Sequence, residues 1–225
     1  FIELAGGQNA KIVVIPTALG SSFIDKAGEK LTDHFKKRGV KNVTLLHTVD
    51  PKIADTDAFV APLSSAGGVW FYGGRGPILA KTYGGTKTVE MCRSLLDRGG
   101  VVGGGSAGAM IQGSFLRRNP QYDIIGDPQE GFGFITNFVV EPHVLAFNRH
   151  FDMFKVLKLK PELLGVGIDD YTAIIVKGNQ FEVVGSRYVL IYDNSFWSRD
   201  GDKLGMSQAI LFHFLMDGDK YDLKK

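Results

Sequence analysis

Gly104-Gly105-Ser106-Ala107-Gly108 sets a serine in the pattern G-x-S-x-G, directly after the β-branched pair Val101-Val102 and Gly103. Apolar strand, bend and small residues in that order read as a strand passing through a sharp turn into a helix, with Ser106 on the bend. A hydroxyl held there can attack a carbonyl. The neighbours must lack bulk, because the serine's own backbone is strained and the next turn packs close. The turn would also aim the Ala107 N–H, at a helix start, towards an oxyanion forming beside Ser106. Two blander readings stand beside this one. Gly103, Gly105 and Gly108 also satisfy the dinucleotide pattern G-x-G-x-x-G, although here it lies mid-chain and the next acids, Asp127 and Glu130, fall in a Pro/Gly-rich loop. The string fits a purely structural glycine turn as well. No G-x-x-x-x-G-K-[ST] occurs, which argues against a P-loop NTPase.

A serine nucleophile needs a base, and the base needs an orienting acid. The chain has five histidines. His34 lies among Asp33, Lys36 and Lys37 on a solvated helix, and His47 follows a strand and fits either role. His150 precedes Phe151 inside a predicted helix, where packing is the commoner use. His213 sits in Leu211-Phe212-His213-Phe214-Leu215, an apolar strand expected to bury it. His143, ending a strand just after Pro142, is best placed. Chain order leaves two arrangements open: Ser106, then Asp169 or Asp170, then His213, as in α/β-hydrolases, or Ser106, then His143, then a late acid.

The elements that must carry these groups alternate. Lys11–Ile15, Val43–Leu46, Val69–Tyr72 and Val101–Val102 read as strands. Between them fall predicted helices: one running through Phe23, Ala27, Leu31 and Phe35 from a Ser21 or Ser22 cap, a short one over Ile53–Ala66, and two over Pro77–Tyr83 and Thr86–Arg98. Such alternation predicts an α/β fold, a mainly parallel sheet flanked by helices. Ligands of such sheets sit at the carboxyl ends of the strands, where both Gly73-Gly74-Arg75-Gly76 and the Ser106 turn occur. After a loop over Arg117–Gly131, Phe138–Val140 is a strand ending at Glu141-Pro142-His143, followed by a helix from about Phe147 to Lys160 and by Leu164–Ile168, which leads to Asp169-Asp170. Thr172–Val176 and Phe181–Val184 form a C-terminal antiparallel hairpin, with Val189–Tyr192 as its third strand. Ile210–Leu215 is a last strand before a charged, frayed tail.

With 225 residues, 44% of them hydrophobic, the chain can bury the core of a single domain over residues 1–225. A net charge of +2 without a basic stripe gives no indication of nucleic acid as a partner. No apolar run approaches the ~18 residues a membrane span requires. The single cysteine, Cys92, falls on the apolar face of a predicted helix and reads as core. It leaves the compartment, cytoplasmic or exported, open. The histidines and acids show no metal-ligand spacing, so neither metal nor cofactor is expected. The start at Phe1 rather than Met predicts that a leader or first strand preceded it.

Four segments carry a resemblance: Ala5-Gly6-Gly7, Ile15-Pro16-Thr17-Ala18, Gly105-Ser106-Ala107-Gly108-Ala109 and Leu164-Gly165-Val166-Gly167-Ile168-Asp169-Asp170-Tyr171-Thr172-Ala173. In this order they resemble the cyanophycinase and dipeptidase E family of serine peptidases over nearly the whole chain. The resemblance implies a class I glutamine-amidotransferase-like (flavodoxin-like) fold and cleavage after aspartyl groups: the β-Asp-Arg units of cyanophycin, isoaspartyl peptides or α-Asp dipeptides. It puts the nucleophile on Ser106, the base on His143, where cyanophycinases have Asp-Gln-His-Phe, and the triad acid on Asp170, in place of a Glu.

The departures from the family pattern are also informative. Gly73-Gly74-Arg75-Gly76 stands where cyanophycinases have Gly-Gly-Asp-Gln, which keeps the Gly74 N–H for an oxyanion hole with Ala107 but removes polar side chains. Asp170 is one methylene shorter than Glu, which predicts a looser hold on His143. Phe147 occupies one of the places where cyanophycinases carry arginines, and Arg149 keeps another, so cyanophycin itself is not the expected substrate. Arg75 and Arg149 are the candidates for clamping a substrate carboxylate, since guanidinium binds carboxylate through a planar fork, with Glu141 beside them. The expected partner is a small acidic peptide; a homodimer is compatible with the sequence, which does not fix the oligomeric state. Two alternatives remain: a catalytically weakened or non-catalytic binding module on the same fold, and an α/β-hydrolase esterase using His213.

Overall fold

The structure, a computed structural model, describes residues 1–117, 129–193, 197–200, 203–206 and 213–224. Asp127, most of the predicted 117–131 loop and residues 210–212 of the predicted last strand lie outside the described residues. The chain divides into two compact units, Phe1–Phe134 and Ile135–Lys225.

The first unit is built on four parallel strands, β1 (Lys11–Ile15), β2 (Asn42–Leu45), β3 (Gly68–Phe71) and β4 (Val101–Gly104), in the order β2-β1-β3-β4. The β1 side chains alternate between two apolar clusters, which is why the strand reads as a continuous apolar run. Val13 and Ile15 join Val69, Phe71, Leu79, Cys92 and Leu95 on one face, while Ile12 and Val14 join Phe35 and Val40 on the other. Helices flank the sheet: α1 (Ser21–Ala27), α2 (Asp33–Lys36), α3 (Pro51–Ala54), α4 (Asp57–Val60), α5 (Gly76–Tyr83), α6 (Lys87–Asp97) and α7 (Ala107–Met110).

Two predicted helices are broken. The Phe23–Phe35 helix is α1, a 3-10 turn over Gly28–Thr32, and α2. Gly28, at φ 52° and ψ −135°, leaves the helical region, so Phe23 ends up exposed while Leu31 and Phe35 are buried. The N-cap is Gly20 and not either serine. The Ile53–Ala66 segment is α3, α4 and a 3-10 turn over Ala61–Ser65; Thr56 starts afresh by accepting the Phe59 N–H.

The second unit holds β5 (Phe138–Pro142), α8 (Asp152–Leu159), β6 (Leu164–Ile168), β7 (Thr172–Lys177), β8 (Gln180–Gly185), β9 (Val189–Tyr192), β10 (Trp197–Asp200), β11 (Lys203–Met206), β12 (His213–Leu215) and β13 (Lys220–Asp222). β5 and β6 are parallel, and β9 adds antiparallel to β6, giving the order β12-β9-β6-β5. β9 is therefore not the hairpin's third strand. All four of its residues are buried, as an interior position of a sheet requires. The hairpin β7-β8 is completed by β13, so the charged tail is ordered rather than frayed, with Tyr221 stacked on Phe181 at 5.5 Å. The helix predicted from Phe147 begins only at Asp152, because Asn148 takes a left-handed φ of 54° and breaks the helical path.

Candidate active site

Ser106 sits between β4 and α7 at φ 54° and ψ −120°, a conformation that costs a residue bearing a Cβ about 1–3 kcal/mol. The flanking glycines show what holds it there. A Cβ on Gly104 would lie 2.3 Å from the Gly108 carbonyl oxygen, and one on Gly108 would lie 2.1 Å from that of Phe71. Strand, bend and helix thus approach backbone to backbone, and Gly105 N–H closes the turn by donating to Phe71 O at 3.2 Å. At Gly105 a Cβ would meet nothing nearer than 3.9 Å. This separates the glycines of G-x-S-x-G, which are sterically required, from the middle one, which is not. Gly108→Ala is expected to destabilise the protein by about 3 kcal/mol in urea unfolding, and Gly105→Ala by less than about 1 kcal/mol.

The β3–α5 connection lies against the serine. A Cβ on Gly73 would be 2.9 Å from Ser106 Cβ. Gly74 has φ 134°, and a Cβ there would be 2.1 Å from the Ala18 carbonyl oxygen, which also accepts the Arg75 N–H at 2.9 Å. Gly76 neighbours Ala107, and Arg75 is exposed. Beneath the Ala18 turn, the buried Thr17 hydroxyl bonds His47 Nδ1 at 2.8 Å and the Tyr83 hydroxyl at 2.6 Å, and Ser21 Oγ lies 3.4 Å from His47 Nε2. Burial lowers the His47 pKa despite the opposing field of Asp25, and pushes the Tyr83 hydroxyl up to about 12. His47 is thereby placed as a support of the strand ends, which the sequence left open. The one signal for it was the Ile15-Pro16-Thr17 strand end itself. Cys92 is core, its thiol pushed up to about 12 by burial.

In the second unit His143 follows β5 directly, at φ 58°, and its Nδ1–H donates to Asp170 Oδ1 at 2.5 Å. The expectation that an aspartate would hold the imidazole loosely is thus overturned; the turn after β6 brings the shorter carboxylate into full contact. With Nδ1 bearing the proton, Nε2 is the basic nitrogen. The adjacent Asp169 has a different task. Its buried carboxylate accepts the N–H groups of Leu145 at 3.1 Å and Ala146 at 2.9 Å and pairs with Arg187 at 3.4 Å. Burial alone would raise its pKa, but these hydrogen bonds outweigh that and hold it below the ordinary aspartate value. A carboxyl depressed in the folded state adds stability above its unfolded pKa of about 4 and loses it as the pH falls. Asp169→Asn is expected to lower stability by about 1–2 kcal/mol at pH 7, with the gap to wild type narrowing below about pH 4 in urea titrations.

Phe147 stacks on the His143 ring at 4.8 Å and 27°, with its N–H donating to His143 O at 2.9 Å. Arg149 lies over the Phe147 ring at 4.9 Å and pairs with Glu141 at 3.3 Å. Glu141 is wholly buried and the Arg149 side chain is 18% exposed. Neither the Phe147 stack nor the division of work between Asp169 and Asp170 is visible in the sequence, where only the acid pair stands out. His34 is exposed, His150 half-buried, and His213 lies on β12 opposite Ile191. Both acids that an ester hydrolase could offer His213 are engaged elsewhere, Asp170 by His143 and Asp169 by Leu145, Ala146 and Arg187. Among the described residues no group of three His, Cys, Asp or Glu gathers to hold a metal, and no helix is long and apolar enough to cross a membrane.

The family model described as Peptidase family S51 matches residues 1–184. The chain belongs to this family. It is a serine-type peptidase, a hydrolase. Among the relatives of this S51 chain is a cyanophycinase of Synechococcus elongatus, 28% identical over all of this chain and 73% of its own length. Another, from Geminocystis herdmanii, is 29% identical, covering all of this chain and 86% of its own length. A crystal structure of a peptidase from an acI-B1 Actinobacterium superposes with a TM-score of 0.71 at 25% identity, covering 98% of this chain and 87% of that one. A putative peptidase E from Listeria monocytogenes, 18% identical, shares the fold at a TM-score of 0.58 over 83% of this chain and 91% of its own. Membership in a peptidase family, with both acids already committed, removes the esterase reading and the nucleotide-loop reading of the glycines.

Proposed function

We propose that the chain hydrolyses the bond after an aspartyl or isoaspartyl residue in small peptides, with Ser106, His143 and Asp170 as its triad. Ser106 Oγ forms a bond to the scissile carbonyl carbon as its proton passes to His143 Nε2. The negative oxygen that results is held by the N–H groups of Gly74 and Ala107. The carbon–nitrogen bond then breaks, and the proton moves from Nε2 to the leaving amine. Water, giving its proton to the same Nε2, attacks the acyl-serine; the ester bond breaks, the acid product departs and the proton returns to Oγ. Asp170 remains ionised throughout, orienting the imidazole and offsetting its positive charge.

The observation that carries this reading is the backbone of Ser106. A non-glycine residue at φ 54° and ψ −120°, locked by two glycines that admit no Cβ, is backbone strain of the kind that functional sites hold. The His143–Asp170 contact supports His143 as the base, because a carboxylate accepting from Nδ1 leaves the lone pair on Nε2. For the acidic side of the substrate, support comes from relatives named cyanophycinase and from Arg75, an exposed guanidinium on the connection that carries Gly74. Arg149, held by buried Glu141, is the second contact for a substrate carboxylate. The test is a panel of α-Asp and β-Asp dipeptides against Ala counterparts with the same leaving residue. Turnover confined to the aspartyl or isoaspartyl members is expected. Equal rates on the Ala peptides would remove the specificity, and labelling by a fluorophosphonate at a residue other than Ser106 would remove the nucleophile.

A further inference from the structure

Phe147 is an aromatic side chain that gains little from its own surroundings: it is 58% exposed, yet it lies face to face with the imidazole of His143. Taking His143 as the base proposed above, its Nε2 returns a proton to the leaving amine, so that nitrogen must come within about 3 Å of the ring. The side chain of the leaving residue starts two bonds further on. It therefore emerges beside whatever borders the imidazole, and at 4.8 Å that is Phe147.

We infer that Phe147 is a specificity-determining residue that favours substrates with an apolar or aromatic leaving residue over a cationic one. The part of the phenyl ring that neither the imidazole nor Arg149 covers rewards apolar surface laid against it, because both surfaces leave water. A lysine or arginine side chain would ordinarily find the same ring attractive. Here the Arg149 guanidinium already lies over it at 4.9 Å. The counter-charge of Arg149, Glu141, is wholly buried, whereas the Arg149 side chain is partly exposed and its guanidinium lies over the ring, so an arriving cation meets like charge there. The ring's seat is not incidental: Phe147 N–H bonds His143 O, Arg149 N–H bonds Val144 O at 2.8 Å, and Asp169 pins the intervening Leu145 and Ala146.

The test compares kcat/KM for Asp-Phe, Asp-Leu and Asp-Arg, in the α or β linkage that the wild type cleaves, on wild type, Phe147→Ala and Phe147→Tyr. Wild type is expected to favour the Phe and Leu substrates over Arg by about tenfold, the range one apolar contact supplies. Phe147→Ala is expected to reduce that ratio to within about twofold, and Phe147→Tyr to retain it. If Phe147→Ala slows all three substrates by one common factor, Phe147 merely positions His143 and the inference fails, while the aspartyl peptidase reading survives. The inference also fails if the wild type shows no preference. If the wild type cleaves no aspartyl or isoaspartyl dipeptide, the reading beneath it falls and takes the inference with it.

Discussion

Ser106→Ala is expected to lower kcat on an aspartyl dipeptide by about 10⁴-fold or more, with KM changed far less. The hydroxyl is the only group lost, and Ala inherits the same backbone at φ 54° and ψ −120°. Its fold should therefore stay intact, and single-turnover and steady-state rates on wild type and variant check the loss directly. A companion variant separates chemistry from strain. Glycine adopts a positive φ without the Cβ penalty, so Ser106→Gly should be equally inactive yet unfold at no lower urea concentration than wild type. A protein that gains or holds stability when its nucleophile is removed is one whose fold maintains that residue for function.

The second large effect lies at Asp170. Asp170→Asn is expected to cost about 10³–10⁴-fold in kcat, with little effect on the fold. The carboxylate accepts the Nδ1–H of His143 at 2.5 Å, which fixes the tautomer with its lone pair on Nε2. An amide can turn its NH₂ towards Nδ1, which moves the imidazole proton to Nε2 and leaves no acceptor for the serine proton. It also supplies no charge to offset the imidazolium formed during the reaction. Measured against this, Asp170→Glu is a geometric test: the 2.5 Å contact is already complete with the shorter side chain, so lengthening it should reduce activity unless the turn after β6 shifts. Steady-state kinetics with isoaspartyl and aspartyl dipeptides, alongside the unchanged urea midpoint of each variant, give the answer.

Much of the parallel sheet was legible because its signals are local. Lys11–Ile15 and Val69–Phe71 are apolar runs of strand length, and α5 and α6 carry helical periodicity that ends at glycines. The breaks in the first long helix and the late start of α8 were not legible, because each depends on one residue, Gly28 or Asn148, adopting a backbone angle that neighbouring contacts choose. The identity of the strand beside the hairpin was hidden for a related reason. β9 and β13 are both short and able to pair, and the register each takes depends on which sheet can bury it.

The same division holds at the site. By itself the sequence put Ser106 on a strand-to-helix bend, since G-x-S-x-G after a strand constrains only adjacent backbone, and favoured His143 among the histidines, while Asp170 and Gly74 were singled out through the family resemblance. Only the tertiary structure decided that Asp170 reaches His143 in full contact, that Asp169 ties the loop between them through two backbone N–H groups, and that Phe147 covers one face of the imidazole. Those contacts join residues up to 27 positions apart, and a carboxylate's choice between an imidazole and a pair of amides turns on distances of about an ångström that no local pattern encodes.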